Sequence, residues 1–286
     1  MLQAGFKGGL DRRSGDGKTI NPPTVSQRFS LGSAAEVSQG EELDDMRLLD
    51  LTLPTAAENL ALDEALLEQA EEHPGSAEIL RLWECPQVAV VLGRANRATT
   101  EADLAACGAA QVPVLRRSSG GGTVVIGPGC LMYSLLLSYD ERPHFRMLDV
   151  VHRQVLSTMA GALNRHLQAQ LIAAQGESDL TLGAQKISGN SVRCKRHYLL
   201  YHGTLLYGFD LALVQRLLRP PSKQPEYRHD REHHEFVVNL PLAADQLRAA
   251  LIEAWVPTGS LTEWPQNHVE QLVRDKYSQA SWNFER

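Results

Sequence analysis

The sequence predicts an α/β (α+β) fold, and three observations carry that expectation. Residues 112–138 alternate apolar runs with breaks, first at Ser118-Ser119 and three glycines and again after Ile126, which reads as strand, turn, strand, tight turn, strand. Residues 179–182 and 186–192 flank the turn Gly183-Ala184-Gln185 as an adjacent antiparallel pair, followed by a further strand at 197–206. Residues 58–72 and about 147–167 carry helical periodicity.

Residues 1–45 are rich in glycine, serine and charge, with apolar residues at no useful period. A disordered N-terminal arm is expected there, and a folded domain over 46–286. The run MRLLDLTL from Met46 reads as a first strand that Pro54 stops. Thr55 with Glu58 predicts a capping box opening the helix ENLALDEALLEQAEE, which ends before His73-Pro74-Gly75. Its polar face carries Glu64, Glu68 and Glu71, opposite Leu62, Ala65 and Leu66. Asn59 and Asp63 fall on the apolar side, where polar groups need partners, so they are expected to brace a neighbouring loop.

Residues 79–84 and 88–92 read as strands joined at Cys85-Pro86, and a short helix over 100–107 leads to the central strand. After Ser138, Leu148, Val151, Val155, Met159, Leu163 and Leu167 recur at intervals of three and four, a core-facing stripe. Residues 171–173 read as a strand, and helices near 243–255 and 266–276 complete the domain.

At 286 residues and 43% hydrophobic, the chain buries one large core or two smaller ones. A net charge of −6 argues against nucleic acid as a partner. Cys85, Cys107, Cys130 and Cys194 are widely separated with no CxxC spacing, which fits a reducing compartment and no structural zinc. No run has the length of a signal-peptide core or a membrane span, so a cytoplasmic protein without membrane partners is expected.

Three glycines after two serines exceed what a hairpin turn requires. Gly120, Gly121 and Gly122 can reach positive φ and lack a Cβ, which lets backbone N–H groups approach a ligand. Arg116-Arg117 at the preceding strand end suit a phosphate or carboxylate; a solvated turn with charged flanks is the plain alternative. No GxGxxG opens a helix and no GxxxxGK precedes Ser or Thr, so neither a dinucleotide fold nor a P-loop is supported. The turn Gly93-Arg94-Ala95-Asn96 places Arg94 beside the pair or leaves it on the surface.

Lys186 opens a strand of small residues, with Ser188 on its face and Ile187 on the other. Its ammonium is a point charge for a developing negative oxygen, and a salt bridge to Asp179 is compatible with that role. Gly189 and Gly203 within strand-like runs indicate close approach of backbone or ligand. His202 reads as a strand histidine hydrogen-bonded in the core.

With both stretches in view, the chain resembles the lipoate-protein ligase A family, within the biotin and lipoyl protein ligase superfamily. RRSSGGG at 116–122, KISGNSVR at 186–193 and HGTLL at 202–206 carry the resemblance over residues 47–286. NLALDEALL at 59–67, GRAN at 93–96 and KYSQASWNF at 276–284 support it. The resemblance implies a catalytic domain of mixed and antiparallel sheets packed with helices, which activates lipoate with ATP and magnesium (Mg2+) as lipoyl-adenylate. The acyl group then passes to a lysine of a lipoyl carrier domain, such as those of 2-oxoacid dehydrogenase E2 or the glycine-cleavage H protein. Lys186 takes the place of the essential lysine. Arg94, Arg116, Arg117, Ser118, Gly120, Gly121, Gly122, Ser188, Gly189, His202 and Gly203 are the implied substrate- and adenylate-binding set, and Asp179 orients Lys186 or holds magnesium.

Three departures bear on this. Glu177-Ser178 stands where ligases show Arg-Asn, and HHEFVVNL at 233–240 replaces a basic segment, so nucleotide contacts there are unsupported. A solvated loop is preferred to a metal site at His233 and His234. The chain stops shortly after KYSQASWNF, so no C-terminal accessory domain is expected and a separate accessory subunit is implied. The nearest rival, an octanoyl or lipoyl transferase of the same fold, needs a reactive cysteine ahead of the lysine motif, and residues 173–185 contain none. A biotin ligase lacks support because its Gly-Arg-Gly-Arg-Arg-Gly loop is missing. A non-catalytic module binding lipoyl domains or an acyl ligand is the alternative of a different class.

Overall fold

The computed structural model describes residues 45–221 and 224–285; the expected arm lies outside these, apart from Asp45. In chain order the elements are β1 (Met46–Asp50), α1 (Ala56–Glu72), β2 (Glu78–Glu84), β3 (Ala89–Leu92), α2 (Ala98–Glu101), α3 (Leu104–Ala109), β4 (Val114–Arg116), β5 (Val124–Ile126) and β6 (Cys130–Ser138). There follow α4 (Leu148–Leu167), β7 (Ile172–Gln175), β8 (Asp179–Leu182), β9 (Gln185–Cys194), β10 (Tyr198–Leu206), α5 (Ala212–Leu217), α6 (His233–Phe236), α7 (Ala244–Trp255), β11 (Gly259–Ser260), α8 (Gln266–Leu272) and α9 (Ala280–Phe284). Among the described residues, no helix is long and apolar enough to cross a membrane.

An eight-stranded sheet runs β11-β1-β2-β6-β10-β9-β8-β7, and a three-stranded sheet runs β4-β3-β5. The large sheet is parallel from β11 to β2 and antiparallel beyond, while β3 pairs parallel with β4 and antiparallel with β5. This is the mixed architecture expected. Its central strands β6 and β10 are buried along their whole length, which explains their near-continuous apolar runs. Leu62, Trp83, Leu136 and Leu200 belong to one buried cluster, and Leu80, Tyr133, Val155 and Leu247 to a second, the latter gathered under α4 and α7.

The strands of 112–138 form as expected, but their pairing differs. β4 and β5 are not hairpin partners; both flank β3, and β6 crosses into the large sheet. Residues 117–123 therefore arch over the end of β3, a longer path than a hairpin turn, and this accounts for the extra glycines. The helix expected over 100–107 is broken in two. Ala102 is extended and bridges Leu218, and Asp103 then caps α3 through the Ala106 N–H.

Helix α1 starts with the expected capping box: Thr55 Oγ1 accepts from the Glu58 N–H at 3.2 Å, and the Glu58 carboxylate accepts from the Thr55 N–H at 2.8 Å. Its acidic stripe is not a solvated face. Glu64 is buried and accepts from Lys276 Nζ at 2.6 Å and the Tyr277 hydroxyl at 2.8 Å. Glu68 meets His268 at 2.9 Å, and Glu71 accepts the backbone N–H groups of His197 and Tyr198 at the start of β10. The partners lie over 100 residues away, so helical periodicity alone assigns these glutamates to water.

Asn59 braces a neighbouring loop as expected, whereas Asp63 is held by strand residues and not by a loop. Asn59 accepts from the Leu53 N–H at 3.0 Å and donates to the Leu53 and Thr55 carbonyls at 2.8 Å, fixing the entry to α1. Arg81 on β2, fully buried, reaches Asp63 Oδ1 at 2.5 Å and Asn59 Oδ1 at 2.6 Å, with its guanidinium over the Trp83 ring. Burial alone would raise the Asp63 carboxyl, but Arg81, His202 and Ser134 outweigh it and hold it below the usual range. Its contribution to stability is therefore complete above the unfolded-state value, near 3.9, and is lost as pH falls through the lower folded value. Arg81→Met strands that carboxylate and is expected to lower the unfolding free energy by about 3–5 kcal/mol in urea titrations. A loss below about 1 kcal/mol, the level of an exposed ion pair, would show that the pair is not structural.

Candidate active site

The loop 117–123 of the small sheet faces β9 and β10 of the large one across a cleft that opens to solvent. Arg117, Gly121, Gly122 and Thr123 line one side. Ser178, Asp179, Lys186, Gly189, Asn190, Ser191, His202, Gly203 and Thr204 line the other. Leu60, Val91, Val124, Ile126 and Met132 add apolar lining. A ligand with an apolar body and a polar, anionic head fits this division.

Lys186 is 25% exposed, and its Nζ lies 2.8 Å from Asp179 Oδ1. Thr181 pairs with Lys186 and Leu180 with Ser188, so Ile187 is an extra residue in a β-bulge. The bulge upsets the expected alternation: Ser188 is buried and accepts from Asn190 Nδ2 at 3.2 Å instead of lining the cleft. Both strand glycines serve close approach. A Cβ on Gly189 would stand 2.8 Å from Lys186 Nζ, and one on Gly203 would overlap Asn190 Oδ1.

Arg117 holds the glycine loop. Its Nη2 donates to the Gly120 carbonyl and, at 2.8 Å, to the Gly122 carbonyl, while Nε donates to Ser119 Oγ at 3.0 Å. Burial pushes this guanidinium down to about 10, so it stays charged at neutral pH. Ser191 Oγ donates to the Gly120 carbonyl at 2.9 Å, tying the loop to β9, and Gly121 takes the left-handed φ of +82°. Ser119 Oγ lies 2.6 Å from His202 Nε2, and His202 Nδ1 lies 3.3 Å from Asp63 Oδ2. Asp63 Oδ2 also accepts from Ser134 Oγ at 2.7 Å. Arg81, Asp63, His202, Ser119 and Arg117 are thus one polar chain running from the core to the loop.

Of the expected site residues, Arg117, Gly121, Gly122, Asp179, Lys186, Gly189, His202 and Gly203 converge on the cleft. Arg116 does not. It is fully buried, and its guanidinium donates to the carbonyls of Gly93, Arg94, Asn96, Trp282 and Asn283. Successive strand residues point to opposite faces, so the two arginines take different tasks. Arg94 is exposed, with its backbone joined to Ser119 and Arg116. Ser118 is buried away from the cleft, and Gly120 is exposed outside the cleft lining.

Sequence reasoning missed Ser119, Thr123, Asn190, Ser191 and Tyr227. The first four lie within or beside the two motifs; Tyr227 has no local signal. Asp179 Oδ2 accepts from the Tyr227 hydroxyl at 2.7 Å, so both carboxylate oxygens have partners. No group of three metal-binding side chains exists among the described residues. His233 is buried against Arg228 and the Arg219 carbonyl, a packed position where a solvated loop was expected, while His234 is exposed.

No cysteine lines the cleft. Cys85, Cys107 and Cys130 are buried, and burial raises each thiol above its ordinary value. Cys194 is exposed at the opposite end of β9 from Lys186, about 26 Å along the strand.

Residues 55–254 match the lipoyl protein ligase A/B catalytic domain family. The octanoyltransferase LipM of Carboxydothermus hydrogenoformans is 26% identical over 274 residues, covering 85% of this chain and 99% of its own. A bipartite lipoate protein ligase from Thermoplasma acidophilum, from a structural analysis of an archaeal lipoylation system that also covers its E2 lipoyl domain, superposes with a TM-score of 0.68 at 25% identity, over 84% of this chain and 96% of that one. A lipoate-protein ligase A bound with ATP gives 0.67 at 25% identity, over 84% and 98%. With the glycine loop, the strand lysine and the mixed sheets all in place, the chain belongs to the lipoyl protein ligase A/B catalytic domain family.

Proposed function

We propose that this protein is a lipoate-protein ligase, which activates lipoate with ATP as lipoyl-adenylate, releases pyrophosphate and transfers the lipoyl group to a lysine of a carrier domain. The observation that carries this reading is Lys186 set opposite the glycine loop across a partly apolar cleft that holds no thiol. The apolar lining suits the acyl chain. Backbone N–H groups and the charge of Arg117 suit the phosphate side, and the Lys186 ammonium suits the oxygens of the mixed anhydride. As the carrier amine attacks the acyl carbon, negative charge grows on the carbonyl and departing phosphate oxygens, and a fixed ammonium lowers that barrier.

An octanoyl or lipoyl transferase working through a cysteine thioester fits less well, because none of the four cysteines lies where the lysine acts. Magnesium is expected with ATP, but the residues present do not fit a protein-held ion. Asp179 is the one carboxylate lining the cleft among the described residues, and both its oxygens are engaged. An E2 lipoyl domain is the first carrier to test, the glycine-cleavage H protein the second, and a separate accessory polypeptide belongs in the assay, since the Thermoplasma acidophilum relative is bipartite.

Incubating the protein with lipoate, Mg-ATP and an apo lipoyl domain is expected to yield lipoyl-adenylate and a lysine-linked mass gain on the domain. Lys186→Ala should cut transfer by about 10²–10³, while Cys194→Ser leaves it within about twofold, as befits a group remote from the chemistry. Absence of ATP consumption, with octanoyl transfer from a carrier protein instead, would sink the ligase reading. Gly121→Ala must pay for a left-handed φ and for a Cβ 2.9 Å from Arg117 Nη2. It is expected to weaken apparent ATP affinity about tenfold, measured as the shift in half-saturating ATP for adenylate formation.

A further inference from the structure

Residues 177–178 and 233–240, where the chain departs from the ligase pattern, lie close in sequence to the two sides of one contact. Gly176, at the turn into β8, has φ +59°, and a Cβ there would stand 3.3 Å from the Tyr227 ring. Tyr227 lies in the short 3₁₀ turn Glu226–Arg228 and donates its hydroxyl to Asp179 Oδ2 at 2.7 Å. Lys186 Nζ holds the other oxygen of the same carboxylate at 2.8 Å.

The segment carrying Tyr227 is firmly built. Phe236 packs against the Tyr227 ring with centroids 5.3 Å apart, and the guanidinium groups of Arg228 and Arg231 lie 4.7 and 5.2 Å from the Phe236 ring. Arg231 donates to the Tyr227 carbonyl at 2.9 Å and to the Ala184 carbonyl, just before β9, at 3.1 Å. The Val238 N–H donates to the Lys186 carbonyl at 2.9 Å. One segment thus grips the backbone of Lys186 directly and its side chain through Asp179.

We infer that Tyr227 is a positioning residue for the transfer step, and that Asp179 acts as the link between Tyr227 and Lys186, not as a metal ligand; this rests on the ligase reading above. A carboxylate held by one oxygen turns about its Cβ–Cγ bond and lets the long lysine stem follow. Tying the second oxygen to a rigid ring removes that freedom, and a displacement of about 1 Å at a catalytic group costs on the order of 100-fold. Burial and the Asp179 charge push the Tyr227 phenol upward, so it remains a donor wherever the carboxylate is charged.

The test is single-turnover transfer from preformed lipoyl-adenylate to an apo lipoyl domain, using wild type, Tyr227→Phe, Asp179→Ala and the double variant. Adenylate affinity and the thermal midpoint are measured alongside. Tyr227→Phe keeps the ring and its packing, and is expected to slow transfer about tenfold with both other readouts unchanged. In the Asp179→Ala background, the same change should add less than about twofold, because the acceptor is gone. A Tyr227→Phe rate within twofold of wild type would overturn the inference, as would full multiplication of the two effects. A wild type that fails with preformed adenylate would instead overturn the ligase reading, and this assignment with it.

Discussion

The buried charge of Asp63 is the constraint on which the rest of the structure depends. A carboxylate taken out of water at the heart of α1 is costly unless every lone pair finds a donor. The donors come from three separate elements: Arg81 from β2, Ser134 from β6 and His202 from β10. Meeting that need docks α1 on the middle of the large sheet. His202, oriented from one side by Asp63, presents its other nitrogen to Ser119, so core packing and the shape of the glycine loop are linked by one row of hydrogen bonds.

The adjacent arginines show the same logic at the cleft edge. Arg117 folds into the loop and satisfies carbonyls whose partial negative charge would otherwise repel an anionic ligand. Arg116 turns the other way and joins the Gly93–Asn96 turn to the C-terminal segment through the Trp282 and Asn283 carbonyls. The Trp282 indole returns a hydrogen bond to the Arg116 carbonyl, and Lys276 beside it pairs with Glu64 on α1. The segment KYSQASWNF at 276–284 is therefore a brace for the glycine loop, held from both its strand and its helix side.

Much of this was legible in the chain. The capping box at Thr55 and Glu58, the apolar stripe of α4 and the turn at Gly183 depend on neighbours within a few residues, and the structure has them, except that Leu148 in the first turn of α4 is exposed instead of joining the buried stripe of Val151, Val155, Met159 and Leu163. The two motifs located the cleft because glycines in strand-like surroundings have no local purpose. Gly189 and Gly203 make room for Lys186 and Asn190 respectively. What failed was assignment of side-chain direction. Motif and alternation put Arg116 in the site and Ser188 on the lysine's face, yet the direction of the strand side chains and a one-residue bulge send both elsewhere.

By itself, the sequence determined most of the elements, the family and the two stretches that meet at the cleft, because propensity, capping and motif spacing are written in short windows. Tertiary structure alone decided the partners. β4 and β5 separate around β3, the acidic stripe of α1 becomes an anchor for the C-terminal segment, and Tyr227 reaches Asp179 across 48 residues. The physical reason is that burying a charged or polar group demands a donor or acceptor from whatever element lies opposite, and no local pattern records which element that is.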